Sequence, residues 1–201
     1  MAREFAAQCG VVVNGDALDK LGGFAELTLN WNRIVNLTSA KTPQNFLAEH
    51  IVDGLAVAGL IPSGRAADLG SGAGIPGLVL AIVDGERECL LIEPRAKRAR
   101  FLRQVAIELA LPNVEVVNLR AQEHRAEVPY PTIICRAFGT LKAFVDAAEH
   151  LGDSSTQLFA LKGDRARFET ELSELDGWEY EVTELAHPRA HRRSLVSLRR
   201  F

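Results

Sequence analysis

Apolar residues along the chain change their period near the end of its first third. Over 18–37, Leu18, Leu21, Phe24, Leu27, Trp31, Ile34 and Val35 recur at three- and four-residue spacing, the mark of an amphipathic helix. A second helix is predicted over 43–60, opened by Thr42 as N-cap with Pro43 in its first turn. Pro62, Ser63 and Gly64 then break the chain. Beyond them the apolar residues gather into short runs of strand length, at 65–69, 89–93, 114–119, 132–135 and 157–161. Helical spacing fills most of the gaps, clearest at Ala96, Ala99, Leu102, Val105, Ala106 and Leu109, and again over 141–151. Strands alternating with helices predict right-handed crossovers and a parallel sheet covered on both faces, an open α/β sandwich. Segments 178–185 and 194–199 have only a loop with Pro188 between them, so they are expected as an antiparallel pair closing the sheet's edge. The expected organisation is one domain over 1–201, with a helical cap over 1–62 and an α/β core over 63–201.

Composition narrows this picture. At 201 residues and 47% hydrophobic the chain is long enough to bury one core without disulfide or metal. The start, MAREFAAQCG, shows no apolar h-region after a basic segment, and no run approaches the ~18 apolar residues of a membrane span, so a soluble cytoplasmic protein with no membrane partner is expected. Cys9, Cys89 and Cys135 are odd in number and lie far apart, which points to reduced buried thiols and to no metal site. Asn36-Leu37-Thr38 matches a glycosylation sequon that a chain without a secretory signal would not present to the modifying enzyme.

The formal net charge of −3 gives no global attraction to nucleic acid, which leaves local patches. Arg95, Lys97, Arg98, Arg100 and Arg103 run without an acid among them, and the tail over 187–201 carries Arg189, Arg192, Arg193, Arg199 and Arg200. Both patches suit an RNA backbone, although a solvated helix face is the ordinary explanation of such a run.

The densest chemistry lies in DLGSGAGIPG at 68–77, the first strand-to-helix turn, where an open α/β sheet meets its ligand. Glycines there admit positive φ and let a ligand approach bare backbone. The stretch fits two templates. Gly72, Gly74 and Gly77 match the dinucleotide pattern GxGxxG, with Glu93 at the spacing of a ribose-binding acid. Gly70, Gly72 and Gly74 match the GxGxG of S-adenosylmethionine enzymes, with Asp68 two places before. A carboxylate at Asp68 would repel a pyrophosphate and attract a sulfonium, so charge favours S-adenosylmethionine. Glu93 then suits the ribose hydroxyls, while Ala121 and Gln122 follow the third strand, where adenine would lie. Arg136, at the end of the fourth strand, suits a substrate acceptor or the cofactor carboxylate, unless it pairs with Asp68 or Glu93. Lys162 suits phosphate or open solvent. His50 and Asp53, three apart on one helix face, either meet the pocket or fix the cap to the sheet.

The ordered set NLTS (36–39), HIVD (50–53), DLGSGAGIPG, KRARFLRQV (97–105), CRAF (135–138) and ALKG (160–163) resembles the bacterial small-subunit rRNA guanine-N7 methyltransferases, the RsmG/GidB family. The resemblance implies a class I methyltransferase of Rossmann-like fold, acting on N7 of one guanine in the decoding region of 16S rRNA. The partner implied is that rRNA, the small ribosomal subunit or an assembly intermediate, met by a monomer. Cofactor contacts are implied at Gly70, Ile75, Ala121, Gln122 and Arg136, with Glu93 on the ribose. RNA contacts are expected among Asn36, His50, Asp53, Lys97, Arg98, Lys162 and Arg193. The family commonly has Glu where Gln122 stands and Ser where Cys135 stands. No catalytic base is expected, because guanine N7 carries a free lone pair and positioning supplies the rate. A methyltransferase for a small molecule or protein, and a non-catalytic nucleotide- or RNA-binding module, remain as alternatives.

Overall fold

Seven strands form one sheet in the order β3-β2-β1-β4-β5-β7-β6. They are β1 (Ala66–Leu69), β2 (Cys89–Ile92), β3 (Val114–Val117), β4 (Thr132–Arg136), β5 (Gln157–Lys162), β6 (Trp178–Leu185) and β7 (Arg193–Arg200). This computed structural model describes residues 2–189 and 192–200, so Ala190, His191 and Phe201 of the basic tail lie outside the described residues. The first five strands are parallel; β7 runs antiparallel to β5 and to β6. Strands β1 and β2 are buried along their whole length, so β2 reads as an unbroken apolar run and β1 is apolar but for the buried Asp68.

Among the described residues eight α-helical segments surround the sheet: α1 (Ala2–Gln8), α2 (Gly15–Asn32), α3 (Pro43–Phe46), α4 (Val52–Ala58), α5 (Gly77–Val83), α6 (Ala96–Glu108), α7 (Leu141–Ala148) and α8 (Glu169–Leu172). The short α1 was not anticipated, while α2 is capped by the Asn14 side chain, which accepts from the Ala17 N–H at 2.8 Å. The apolar period predicts α2 on to residue 37, but the helix ends at Asn32. There the Asn32 amide takes over the backbone: Oδ1 accepts from the N–H groups of Leu37 and Thr38, at 2.8 and 3.0 Å, and Nδ2 donates to the Thr38 carbonyl at 2.8 Å. A side chain that satisfies loop backbone in this way competes with further helix.

The second predicted helix is one rod in three parts: α3, a π turn over Leu47–Ile51, and α4. Thr42 caps it as expected, its hydroxyl accepting from the Asn45 N–H at 3.1 Å. The π turn inserts an extra residue and so re-aims His50 relative to a uniform helix. Gly54 lets α4 lie hard against α5, since a Cβ there would stand 2.7 Å from Val79 Cβ. The N-terminal helices thereby share one apolar cluster with α5 and α6, in which Phe24, Phe46, Leu55 and Phe101 are fully buried. Truncating such a phenylalanine to alanine costs about 3–5 kcal/mol. Leu90, Ile133, Phe144 and Leu158 fill the opposite face under α7. No helix of the described residues is long and apolar enough to cross a membrane.

Candidate active site

The glycine loop leaves β1 with Gly70, Gly72 and Gly74 at φ of 70°, 58° and 85°, a region L side chains rarely adopt. Its inner side is closed, since a Cβ on Gly74 would lie 2.3 Å from Leu78 Cδ1. Its outer side is open at Gly72, where a Cβ would find only Gly70 O at 3.6 Å and Arg98 Nη1 at 3.8 Å. That side forms the floor of a cavity of about 330 Å³, walled by Thr38, Ser39, His50, Ile75, Arg98 and Arg136. The cavity lies beyond the carboxyl ends of β1 and β4, where the topology of an open α/β sheet puts a ligand. A larger groove of about 510 Å³ opens between Leu60, Pro62 and the β6–β7 hairpin, at the opposite ends of the parallel strands.

Asp68 does not face this cavity. It is 2% exposed, its Oδ2 accepts from the Gly77 N–H at 3.0 Å, and its Oδ1 has no hydrogen-bond partner among the described residues. Burial, aided by the nearby Glu93 charge, pushes its carboxyl up to about 7. Asp68 therefore does not offer a carboxylate to a sulfonium, as its place before the loop suggests; it stands behind the loop and buttresses it. Glu93 is also buried, with Oε2 accepting from the Gly72 N–H and Oε1 from the Arg95 N–H, each at 2.8 Å. It ties the glycine loop to the end of β2. Each oxygen keeps a further lone pair for a ribose hydroxyl. Ala121 and Gln122 sit in the 3₁₀ turn Ala121–Glu123 that follows β3, the first buried and the second exposed. The loop on the cavity floor, Glu93 and this turn thus step along one edge of the sheet in strand order, with Glu93 and the turn outside the cavity proper.

On the other side of the loop a charged cluster joins the π-bearing rod to the sheet. Asp53, 1% exposed, receives Arg193 Nε at 3.1 Å and Arg136 Nη2 at 3.3 Å, with His187 Nε2 at 3.8 Å. Arg136 also reaches His50 Nδ1 at 2.9 Å, and His50 Nε2 meets Thr38 Oγ1 at 2.7 Å. Burial, reinforced by Arg136, Arg193 and His187, lowers the His50 pKa to about 4, so the ring is neutral at physiological pH. Arg136 does form an ion pair, with Asp53 instead of the Asp68 or Glu93 of the alternative reading, and it still lines the cavity.

Several expected RNA contacts are placed differently. Arg193 is held by Asp53, and Asp53 itself is buried within the cluster. Lys162 is neither a phosphate ligand in waiting nor solvated: Nζ donates to Glu171 Oε2 and to the Gly139 carbonyl, both at 2.8 Å. Asn36 contributes its carbonyl, which accepts from Arg98 Nη2 at 2.9 Å. Arg98 accordingly bends into the cavity wall, while Lys97, Arg100 and Arg103 stay exposed on α6. Cys135 is buried and its thiol pushed well above the usual range, which removes it as a nucleophile. Sequence reasoning missed Thr38 and Ser39 as wall residues; the signal was present in the NLTS stretch and in the sequon set aside as noise.

This strand order, with helices on both faces and a glycine loop after β1, defines a class I methyltransferase fold. A mutant of MtNAS in complex with S-adenosylmethionine superposes with TM-score 0.62 at 15% identity, covering 88% of this chain and 73% of that one. The tRNA (m1A58) methyltransferase TrmI from Aquifex aeolicus gives 0.61 at 18% identity, covering 74% and 68%. At such identities the likeness is one of fold. Sequence is more specific: rRNA small subunit methyltransferase G (GidB) matches residues 17–195. Proteins of that name from Pseudomonas syringae pv. syringae (strain B728a) and Pseudomonas entomophila (strain L48) are 37% and 38% identical over 158 and 160 residues, 79% of this chain and 74% of each relative. The chain belongs to the rRNA small subunit methyltransferase G family of S-adenosylmethionine-dependent enzymes.

The residues present fit that cofactor. The bare outer face of Gly72 is a cradle that a Cβ would fill, and Glu93 has acceptor capacity in reserve.

Proposed function

We propose that this protein methylates N7 of one guanine in the decoding region of 16S rRNA, acting in the cytoplasm as a monomer on rRNA or on a small-subunit particle. The observation that carries the reading is the cavity wall. Among the described residues its titratable groups are His50, Arg98 and Arg136, with no carboxylate, and both nitrogens of His50 are already engaged. A site with no free proton acceptor suits a nucleophile that arrives with a lone pair and loses no proton. Guanine N7 is such a nucleophile, whereas an exocyclic amine or hydroxyl has a proton to shed.

S-adenosylmethionine supplies a methyl group on a sulfonium, whose sulfur keeps the bonding pair as the new N7–C bond forms. The chain's part is to bind and align. The backbone of Gly70, Gly72 and Gly74, with Ile75, would hold the methionine half, Glu93 the ribose, and Ala121 and Gln122 the adenine; Arg136 is the cation for the carboxylate. Asp68 would keep the loop in shape from behind. The exposed cations of α6, Lys97, Arg100 and Arg103, adjoin the cavity through Arg98 and suit rRNA phosphates.

Labelled cofactor incubated with deproteinised 16S rRNA, with small subunits and with a pool of small metabolites tests the reading. N7-methylguanosine from the decoding region is the expected labelled nucleoside. Label confined to small molecules, or to another atom of the RNA, would overturn it.

A further inference from the structure

The hydrogen bonds behind the cavity have a fixed direction. Arg136 Nη2 lies 2.9 Å from His50 Nδ1, and a guanidinium has donors only, so Nδ1 carries a lone pair. The neutral ring then bears its hydrogen on Nε2, 2.7 Å from Thr38 Oγ1. Thr38 Oγ1 therefore accepts from His50. It accepts a second time from the Ala40 N–H, at 3.0 Å. A hydroxyl oxygen has two lone pairs, and both are now used. Asn32 holds the Thr38 N–H and carbonyl as well. What remains of the residue's polar capacity is the hydroxyl hydrogen, and Thr38 lines the cavity.

We infer that the Thr38 hydroxyl is an obligate hydrogen-bond donor that selects the target base by its O6, with His50 as the positioning residue that sets its direction. The inference rests on the guanine-N7 reading above. On the edge that presents N7, guanine shows a second acceptor, O6, whereas adenine shows the N6 amine, a donor. An arginine fork spanning O6 and N7, the common way to read guanine, would occupy the lone pair that the reaction needs. A single donor aimed at O6 leaves N7 free. An adenine in the same place would set its amine against a hydroxyl that has no lone pair left to offer.

The test compares methyl transfer to an rRNA fragment carrying guanosine at the target with transfer to the same fragment carrying 2-aminopurine riboside, which lacks O6. Wild type, Thr38→Ser and Thr38→Val are measured, together with the affinity of each for S-adenosylmethionine. Comparing the ratio of kcat/KM for the two substrates between variants cancels the intrinsic difference in their N7 reactivity. We expect Thr38→Val to shrink that ratio by about tenfold or more, as for loss of one buried hydrogen bond, and Thr38→Ser to keep it. Cofactor affinity should be unchanged in both. Equal loss on both substrates, or weakened cofactor binding with an unchanged ratio, overturns the role of Thr38 while leaving the guanine reading intact. Wild type that methylates no guanine N7 removes both.

Discussion

The chain carries two runs of arginine and lysine that look alike in sequence and differ in the fold. In the tail every described arginine meets an acid: Arg189 with Glu49, Arg192 with Asp164, Arg193 with Asp53, Arg199 with Glu179 and Arg200 with Glu149. On α6 no ion pair forms among the described residues; Arg98 and Arg103 donate instead to the carbonyls of Asn36 and Val116. The partners decide what a basic run is for. In the tail the charge fastens β7 to the helical layer and the hairpin, while α6 keeps a net positive surface beside the cavity. Lys97, Arg100 and Arg103 of α6 stand exposed without an acid beside them among the described residues, whereas Arg193 of the tail closes on Asp53.

The largest effect is expected where the tail's charge is most buried. Arg193→Ala removes one charged hydrogen bond from Asp53, 1% exposed, which keeps Arg136, and should cost about 1.5–3 kcal/mol in urea unfolding. Adding Asp53→Asn should recover much of that loss, and a cost below about 1 kcal/mol would erase the contrast between the two runs. On α6, Lys97→Glu with Arg100→Glu should leave stability within about 0.5 kcal/mol. The same pair should weaken rRNA binding by about tenfold or more at low salt, with the gap narrowing as salt rises. Equal loss at both salt concentrations would speak against an electrostatic role.

A third test sets Asp53, ringed by cations, beside Asp68, which receives a backbone N–H and no cation. The Asp68 carboxyl is raised to about 7 from an ordinary 3.8. Between those values the unfolded chain releases a proton that the native protein keeps, so native stability falls as pH rises from about 4 to about 7 and levels off above. Asp68→Asn keeps an oxygen for the Gly77 N–H and should flatten that part of the stability profile; an unchanged slope would mean that Asp68 is ionised in the fold. The smallest effect belongs to the tail's outermost pair. Arg199→Ala breaks a contact whose side chains are 67% and 49% exposed, and thermal unfolding should register less than about 1 kcal/mol.

Local pattern carried the architecture. Strand runs fell within a residue or two of the observed strands, the Thr42 cap and the C-terminal hairpin stand where the sequence puts them, and the glycines at 70, 72 and 74 take the left-handed conformation that their loop requires. These features depend on residues a few places apart, whose period or backbone freedom is written in order along the chain. Where a helix stops against local rule, as α2 does at Asn32, the cause is a side chain reaching ahead to a loop.

The site was only half legible for the same reason. The sequence by itself determined that bare backbone follows β1 and that an acid ends β2. Only the tertiary structure decided which way Asp68 turns, that Arg136 finds Asp53 across the sheet edge, and that His50 bridges residues 38 and 136. Hydrogen-bond direction and charge compensation are pairwise properties of groups far apart in the chain, and burial makes them decisive because water no longer offers each group an alternative partner.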